Sequence, residues 1–192
     1  AGKIKKMEHV YKLHSDESRY SEVVGDVGRE KFDLDDAAYC QLVSKVDAIV
    51  HCAAWVNFFL GYSELREANV LGTKRIFEFS CASGCEKLPV CYISSNSVVL
   101  DSHIQTVSET DSLDSTSLKQ NLHRGYPSTK HVAEVFVRNC ANYGAPVSIF
   151  RLGTIGGDST SGAMNKSDYW SRILQSFVAC SAVPFKDNEQ GS

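Results

Sequence analysis

Tyr126 and Lys130, in the run Gly125-Tyr-Pro-Ser-Thr-Lys130, are the residues of this chain whose types and spacing can do chemistry. Positions four apart share one face of a helix. A lysine ammonium so placed can sit beneath the phenol and lower its pKa toward neutrality, and a tyrosine tuned that way can hand a proton to a carbonyl oxygen. Tyr-x-x-x-Lys is short enough to occur by chance in many helices, so its surroundings carry the weight. Pro127 suits the first turn of a helix, where a missing N–H is no loss. Val132, Val135, Phe136 and Cys140 then recur at helical spacing, which predicts a helix over 127–141 packed on a core. Upstream, Pro89-Val-Cys-Tyr-Ile93 is an apolar run of strand type that delivers Ser94 and Ser95 at its carboxyl end, where open α/β sheets build their sites. From chemistry alone Ser94 and Ser95 are equivalent, and the register against Val98 favours Ser95.

The elements that would position these residues alternate. Four apolar, β-branched runs, over 22–27, 46–52, 89–94 and 147–152, are separated by helical patterns over 35–44, 63–82 and 127–141, with a further one over 167–180. That alternation predicts an α/β fold, a parallel sheet with helices on both its faces. Residues 101–125 are polar and rich in Ser, Asp and Thr, and read as a long surface loop at the rim of the site.

Composition narrows the class. With 192 residues and 43% hydrophobic content the chain can bury one sizeable core, and a net charge of -3 gives no reason to expect a nucleic-acid partner. Lys3, Lys5 and Lys6 read as a solvated face. The seven cysteines, an odd number scattered through apolar runs, read as buried free thiols in a reducing cytoplasm. Cys81 and Cys85 lack the spacing of a zinc knuckle, so no metal is expected. No stretch matches the length of a membrane span or the core of a signal peptide, which predicts a soluble, cytoplasmic protein.

The glycines restrain the reading. A nucleotide-binding α/β domain carries a phosphate-cradling Gly-x-Gly-x-x-Gly between its first strand and first helix. Gly25-Asp-Val-Gly28 and Gly153-Thr-Ile-Gly-Gly157 do not meet that pattern and read as turns.

Several stretches together resemble the extended short-chain dehydrogenase/reductases: Val24-Gly-Asp-Val27, Val46 to Asn57, Leu65 to Thr73, Tyr92 to Val98, Gly125 to Lys130 with Ala133-Glu134, and Arg151 to Gly156. The continuation Ala53-Ala-Trp-Val-Asn57, followed by Ala68 to Thr73, is similar to the thioester reductase domains that terminate nonribosomal peptide and polyketide synthases. The reductase parts of carboxylic acid and aminoadipate reductases belong to the same branch. The resemblance implies a Rossmann-like domain over 1–185 that lacks its first strands and glycine-rich loop, with 186–192 opening a C-terminal substrate portion. It also implies an NADPH-dependent reductase, with NADH the lesser candidate, acting on an acyl or peptidyl thioester carried on a phosphopantetheine arm. Ser95, Tyr126 and Lys130 would be catalytic: Ser95 bonding the carbonyl oxygen, Tyr126 donating the proton, Lys130 depressing the phenol's pKa and holding the nicotinamide ribose. Asp26, Val27, Cys52, Ala53, Ala54, Asn69, Leu152, Gly153 and Ile155 would line the cofactor, with Tyr126 and Lys130. Gly72 would permit close backbone approach behind the site. Read without the resemblance, Asp26 is equally a turn former, Ala53 and Ala54 ordinary packing, and Asn69 a residue bonded within its own helix surroundings. Without the glycine-rich loop the chain by itself is expected to bind cofactor weakly or not at all. Two rival functions use the same fold: a non-redox, Dieckmann-type cyclase, and a non-catalytic nucleotide-binding module.

Overall fold

The computed structural model describes residues 8, 16–82, 87–99, 108–109, 113, 124–166 and 168–184. The chain divides into two compact units, Val23–Thr154, and Ala1–Glu22 together with Ile155–Ser192. Most of the predicted loop over 101–125 lies outside the described residues, as do Lys3, Lys5, Lys6, Cys85 and residues 185–192.

Val23–Thr154 holds a three-stranded parallel sheet of strands β1 (Ile49–His51), β2 (Val90–Ser95) and β3 (Val147–Leu152), in that order. Parallel neighbours need crossover connections, and helices supply them. Helix α1 (Asp36–Val43) precedes β1, its first turn capped by the Asp35 carboxylate, which accepts from the Ala38 N–H at 2.7 Å. Between β1 and β2 runs α2 (Tyr62–Arg66), a π-helical segment over Glu67–Leu71, and α3 (Gly72–Cys81). Between β2 and β3 runs α4 (Gly125–Asn142). In the other unit α5 (Tyr169–Cys180) starts on Asp168, whose side chain accepts from the Trp170 N–H at 3.0 Å. The result is a partial Rossmann-like α/β fold, and the three runs over 46–52, 89–94 and 147–152 are its strands.

The predicted strand over 22–27 does not form. Val23 and Val24 are 55% and 93% exposed, and the segment turns back so that the Asp26 N–H donates to the Phe32 carbonyl at 2.9 Å. A strand exists only with a ladder partner, and none pairs with this segment among the described residues. The cysteine expectation also needs correcting: Cys40, Cys52, Cys81 and Cys180 are free but exposed, while Cys91 and Cys140 are half-buried. Three of the exposed thiols sit on the solvent sides of α1, α3 and α5, where apolar neighbours in sequence say nothing about which way a side chain points.

The core lies on one face of the sheet. Ile49, Val90, Tyr92, Val147 and Ile149 meet Ile76 and Phe77 of α3 and Ala133, Phe136 and Val137 of α4. Within this unit the opposite face carries Val50, Phe150 and Leu152, which are 67%, 49% and 37% exposed. The stripe that α4 buries is more polar than its valines suggest, for it includes Ser128, Thr129, Lys130, His131 and Glu134 as well as Ala133 and Val137, whereas Val132 and Val135 are only half-buried. Each such polar group must find a partner, and those partners define the site.

Two glycines allow close approach. A Cβ on Gly72 would lie 3.2 Å from the Val27 carbonyl oxygen, so α3 can receive the 24–28 turn against its backbone. A Cβ on Gly125 would lie 2.1 Å from the Leu60 carbonyl oxygen and 2.5 Å from the Gly61 carbonyl carbon. The start of α4 therefore rests directly on the chain leading into α2. We expect Gly125→Ala to destabilise the fold by about 3 kcal/mol in urea unfolding, because backbone must move to admit the methyl group. A loss within experimental error would contradict the packing.

His51, at the end of β1, is 3% exposed, and burial together with the nearby Lys130 charge depresses its pKa to about 4. The unfolded chain binds that proton more readily than the folded one between pH 4 and 6.5, so stability is lost as pH falls through this window. The loss is on the order of 3 kcal/mol. Urea titrations across that range should show a flatter pH dependence for His51→Gln than for the wild type, and parallel curves would rule out this origin.

Candidate active site

The carboxyl ends of the strands gather the residues with chemical potential. Ser94 and Ser95 are adjacent in β2 and therefore point to opposite faces. The Ser94 hydroxyl is buried and donates to Glu134 Oε2 at 2.5 Å. The Ser95 hydroxyl lies near enough to the Tyr126 phenol to act on its pKa, and it accepts from the Ser97 N–H at 3.2 Å. The pleat thus leaves Ser95, not Ser94, beside Tyr126. Leu152 pairs in register with Ser95 across β2 and β3, and Gly153 follows it.

Tyr126 occupies the first turn of α4, half-buried, with the Phe58 ring 5.7 Å away in an edge-on arrangement. Burial pushes the phenol above its ordinary pKa, and the Ser95 hydroxyl offsets part of that rise. Lys130 lies one turn further on and is 4% exposed. Its ammonium donates to the Ile93 carbonyl at 2.8 Å and stands 4.3 Å from the centroid of the Tyr92 ring. Burial lowers the Lys130 pKa to about 8, while Glu134 and Cys52 act in the opposite sense. The expectation that Lys130 depresses the Tyr126 pKa is therefore corrected. The two residues share a helix face, but the ammonium is drawn beneath the end of β2 and the phenol remains firmly protonated.

A second polar cluster holds the turn after β1 against α4. Both ends of the Asn69 amide are engaged: Oδ1 accepts from the Trp55 N–H at 2.6 Å, and Nδ2 donates to the Trp55 carbonyl at 3.1 Å and to Thr129 Oγ1 at 3.0 Å. Thr129 in turn donates to the Tyr126 carbonyl at 2.8 Å. Asn69 thus braces the loop, with both N–H groups of its amide committed and its oxygen bound to the Trp55 N–H. It sits in the π-helical segment, a local widening common at functional sites. Thr73 donates its proton to the Asn69 carbonyl at 2.7 Å, so its contact with His51 Nε2 at 3.0 Å makes that ring nitrogen the donor. Asn57 Oδ1 accepts from the N–H groups of Phe59 and Leu60 at 2.8 and 3.0 Å, which fixes the loop bearing Phe58.

The remaining predicted residues divide by position. Cys52 and Ala53 are exposed and Ala54 half-buried directly after β1. Asp26 and Val27 stand in the turn against Gly72, where the Asp26 carboxylate accepts from the Gly28 N–H at 2.8 Å. Ile155 belongs to the other unit and is 71% exposed. Sequence reasoning passed over Phe58, Thr129, His51 and the role of Glu134. Glu134 alone carried a usable signal, a carboxylate one helical turn beyond Lys130.

Among the described residues no group of histidines, cysteines and carboxylates could hold a metal ion, and no helix is long and apolar enough to cross a membrane. The NAD-binding family described as male sterility protein matches residues 3–191. The chain is 36% identical over 160 residues to the glycine betaine reductase ATRR of Emericella nidulans, and 30% identical over 173 residues to the large subunit of L-2-aminoadipate reductase of Penicillium chrysogenum. These matches cover 83% and 84% of this chain but only 12% of each relative. Among solved structures, the terminal R domain of the myxalamid PKS-NRPS biosynthetic pathway superposes with a TM-score of 0.87 at 33% identity, over 96% of this chain and 46% of that one. The reductase domain of a nonribosomal peptide synthetase from Mycobacterium tuberculosis superposes with a TM-score of 0.62 at 30% identity, over 84% of this chain and 39% of that one. With the Ser95, Tyr126 and Lys130 constellation at the carboxyl ends of a parallel sheet, the chain belongs to the NAD-binding male sterility family, in the branch of the aminoadipate reductases and the terminal reductase domains of peptide and polyketide synthases.

Proposed function

We propose that this protein is part of an NADPH-dependent reductase that releases an acyl or peptidyl thioester from a phosphopantetheine carrier as an aldehyde or alcohol. The observation that carries the reading is the Ser95–Tyr126 hydroxyl pair above a buried Lys130 at the end of β2. The relatives support it, since two are by name reductases and one similar solved structure is the reductase domain of a nonribosomal peptide synthetase.

The residues present fit one end of a nicotinamide cofactor. The Lys130 ammonium has three N–H donors and one is committed to Ile93, so it and the Tyr126 phenol can hold a ribose, while the small side chains of Ala53 and Ala54 leave the turn after β1 open. No glycine-rich phosphate loop occurs in this sequence. The cofactor, when bound, supplies the hydride. Ser95 and Tyr126 then donate hydrogen bonds to the thioester carbonyl oxygen, where negative charge develops. A phenol whose pKa burial raises keeps its proton until that charge appears, and then gives it to the oxygen. Collapse of the hemithioacetal breaks the carbon–sulfur bond and frees the aldehyde and the carrier thiol. Phe58, edge-on to Tyr126, shields the phenol from water on one side.

Full-length protein incubated with a carrier-bound acyl thioester should oxidise NADPH faster than NADH, followed by absorbance. Tyr126→Phe should reduce turnover at least about 100-fold, the scale of a lost general acid. Thioester release without consumption of either cofactor would overturn the reading in favour of a non-redox cyclase.

A further inference from the structure

Glu134 has zero exposure, yet its carboxylate is met by four donors. Ser94 donates from β2 at 2.5 Å, Arg138 from α4 at 3.1 Å, and Arg151 from β3 through Nε at 2.9 Å and Nη2 at 2.7 Å. A buried carboxylate persists only with such pairing. Two of its partners adjoin residues of the site, Ser94 beside Ser95 and Arg151 beside Leu152, and Lys130 precedes Glu134 by one helical turn.

We propose that Glu134, clamped by Arg151 and Ser94, is the positioning residue that locks the end of β2 to α4 and thereby sets the relative placement of Ser95, Tyr126 and Lys130. The proposal rests on the reductase reading above and adds a residue to it. Two constraints meet at the clamp. The Ser94 bond fixes the facing of β2 at its last residues, so Ser95 is presented on the face opposite Glu134. The Arg151 fork ties β3 to the same carboxylate, which holds the carboxyl ends of two strands level against one helix. Lys130 is affected directly as well. The groups acting on it from its surroundings are Glu134 on its own helix, Cys52 after β1, His51 on β1 and the Tyr92 ring on β2. Glu134 is the carboxylate among them, and it favours the charged ammonium.

The test compares Glu134→Gln and Ser94→Ala with wild type in two readouts. In steady-state assays of the full-length protein with a carrier thioester and NADPH, Glu134→Gln is expected to lower kcat about 10- to 100-fold, the effect of a small misplacement. KM for both substrates should stay within about twofold. In lysine 13Cε NMR titrations the Lys130 midpoint, near 8 in the wild type, should move down by about half a unit or more in Glu134→Gln. Ser94→Ala retains every charge, so kcat should fall while the midpoint stays in place. An unchanged midpoint in Glu134→Gln, or wild-type kcat in Ser94→Ala, overturns the proposal. If Glu134→Gln does not fold, Ser94→Ala decides it. A wild type that consumes no NADPH would sink the reductase reading, and the proposal would then stand or fall on the titration.

Discussion

The arrangement at this site depends on one buried ionic contact, the Glu134 carboxylate held by Arg151, Arg138 and Ser94. Burial alone would push this carboxyl up in pKa, but the hydrogen bonds and charge of Arg151, with Ser94 and Arg138, outweigh it and hold the group below its ordinary value. The contact is unforgiving because removing one partner would leave charge uncompensated away from water. It is also directional. A fork of two N–H groups on one oxygen and a hydroxyl on the other admit few arrangements of β2, β3 and α4, where an apolar contact would tolerate sliding.

Polar and apolar packing divide the labour along α4. Toward its C-terminal half, Ala133, Phe136 and Val137 join Tyr92, Val90 and Phe77 in a hydrophobic cluster that supplies the non-directional driving force. Toward its N-terminal half, Gly125 touches backbone, Thr129 is tied to Asn69, and Lys130 reaches the Ile93 carbonyl. Geometry there is set by hydrogen bonds with defined angles. A site that must place two hydroxyls and an ammonium around one carbonyl group benefits from that kind of constraint, and the apolar half anchors it. The π-helical segment serves the same end, since it lets Asn69 clasp the Trp55 peptide on both its N–H and C=O sides.

How much was legible in the sequence varied with the range of the interactions involved. The helix over 127–141 and the strands over 89–94 and 147–152 follow from local periodicity and turn chemistry, and they are where the pattern puts them. The run over 22–27 has the same β-branched character but forms no strand, because a strand also needs a neighbour. On α4 the valines mark the helix but not its deepest stripe, because hydrophobicity cannot anticipate that Lys130, His131 and Glu134 would find partners inside. Asn69 was visible as a residue near the site, yet its role as a brace depends on a loop folded over it from β1. The choice between Ser94 and Ser95 needed the pleat and the helix behind it.

The sequence by itself determined the types of the chemical groups, the alternation of strands and helices, and the one-turn spacing of Tyr126 and Lys130, because these arise from backbone periods of two and 3.6 residues. Only the tertiary structure decided where the groups point. It turned the Lys130 ammonium to the Ile93 carbonyl rather than the phenol, left the Tyr126 pKa raised, and enclosed Glu134 among two arginines and a serine. Those outcomes follow from burial and from partners distant in the chain. Desolvation and hydrogen-bond geometry exist only once the elements have packed.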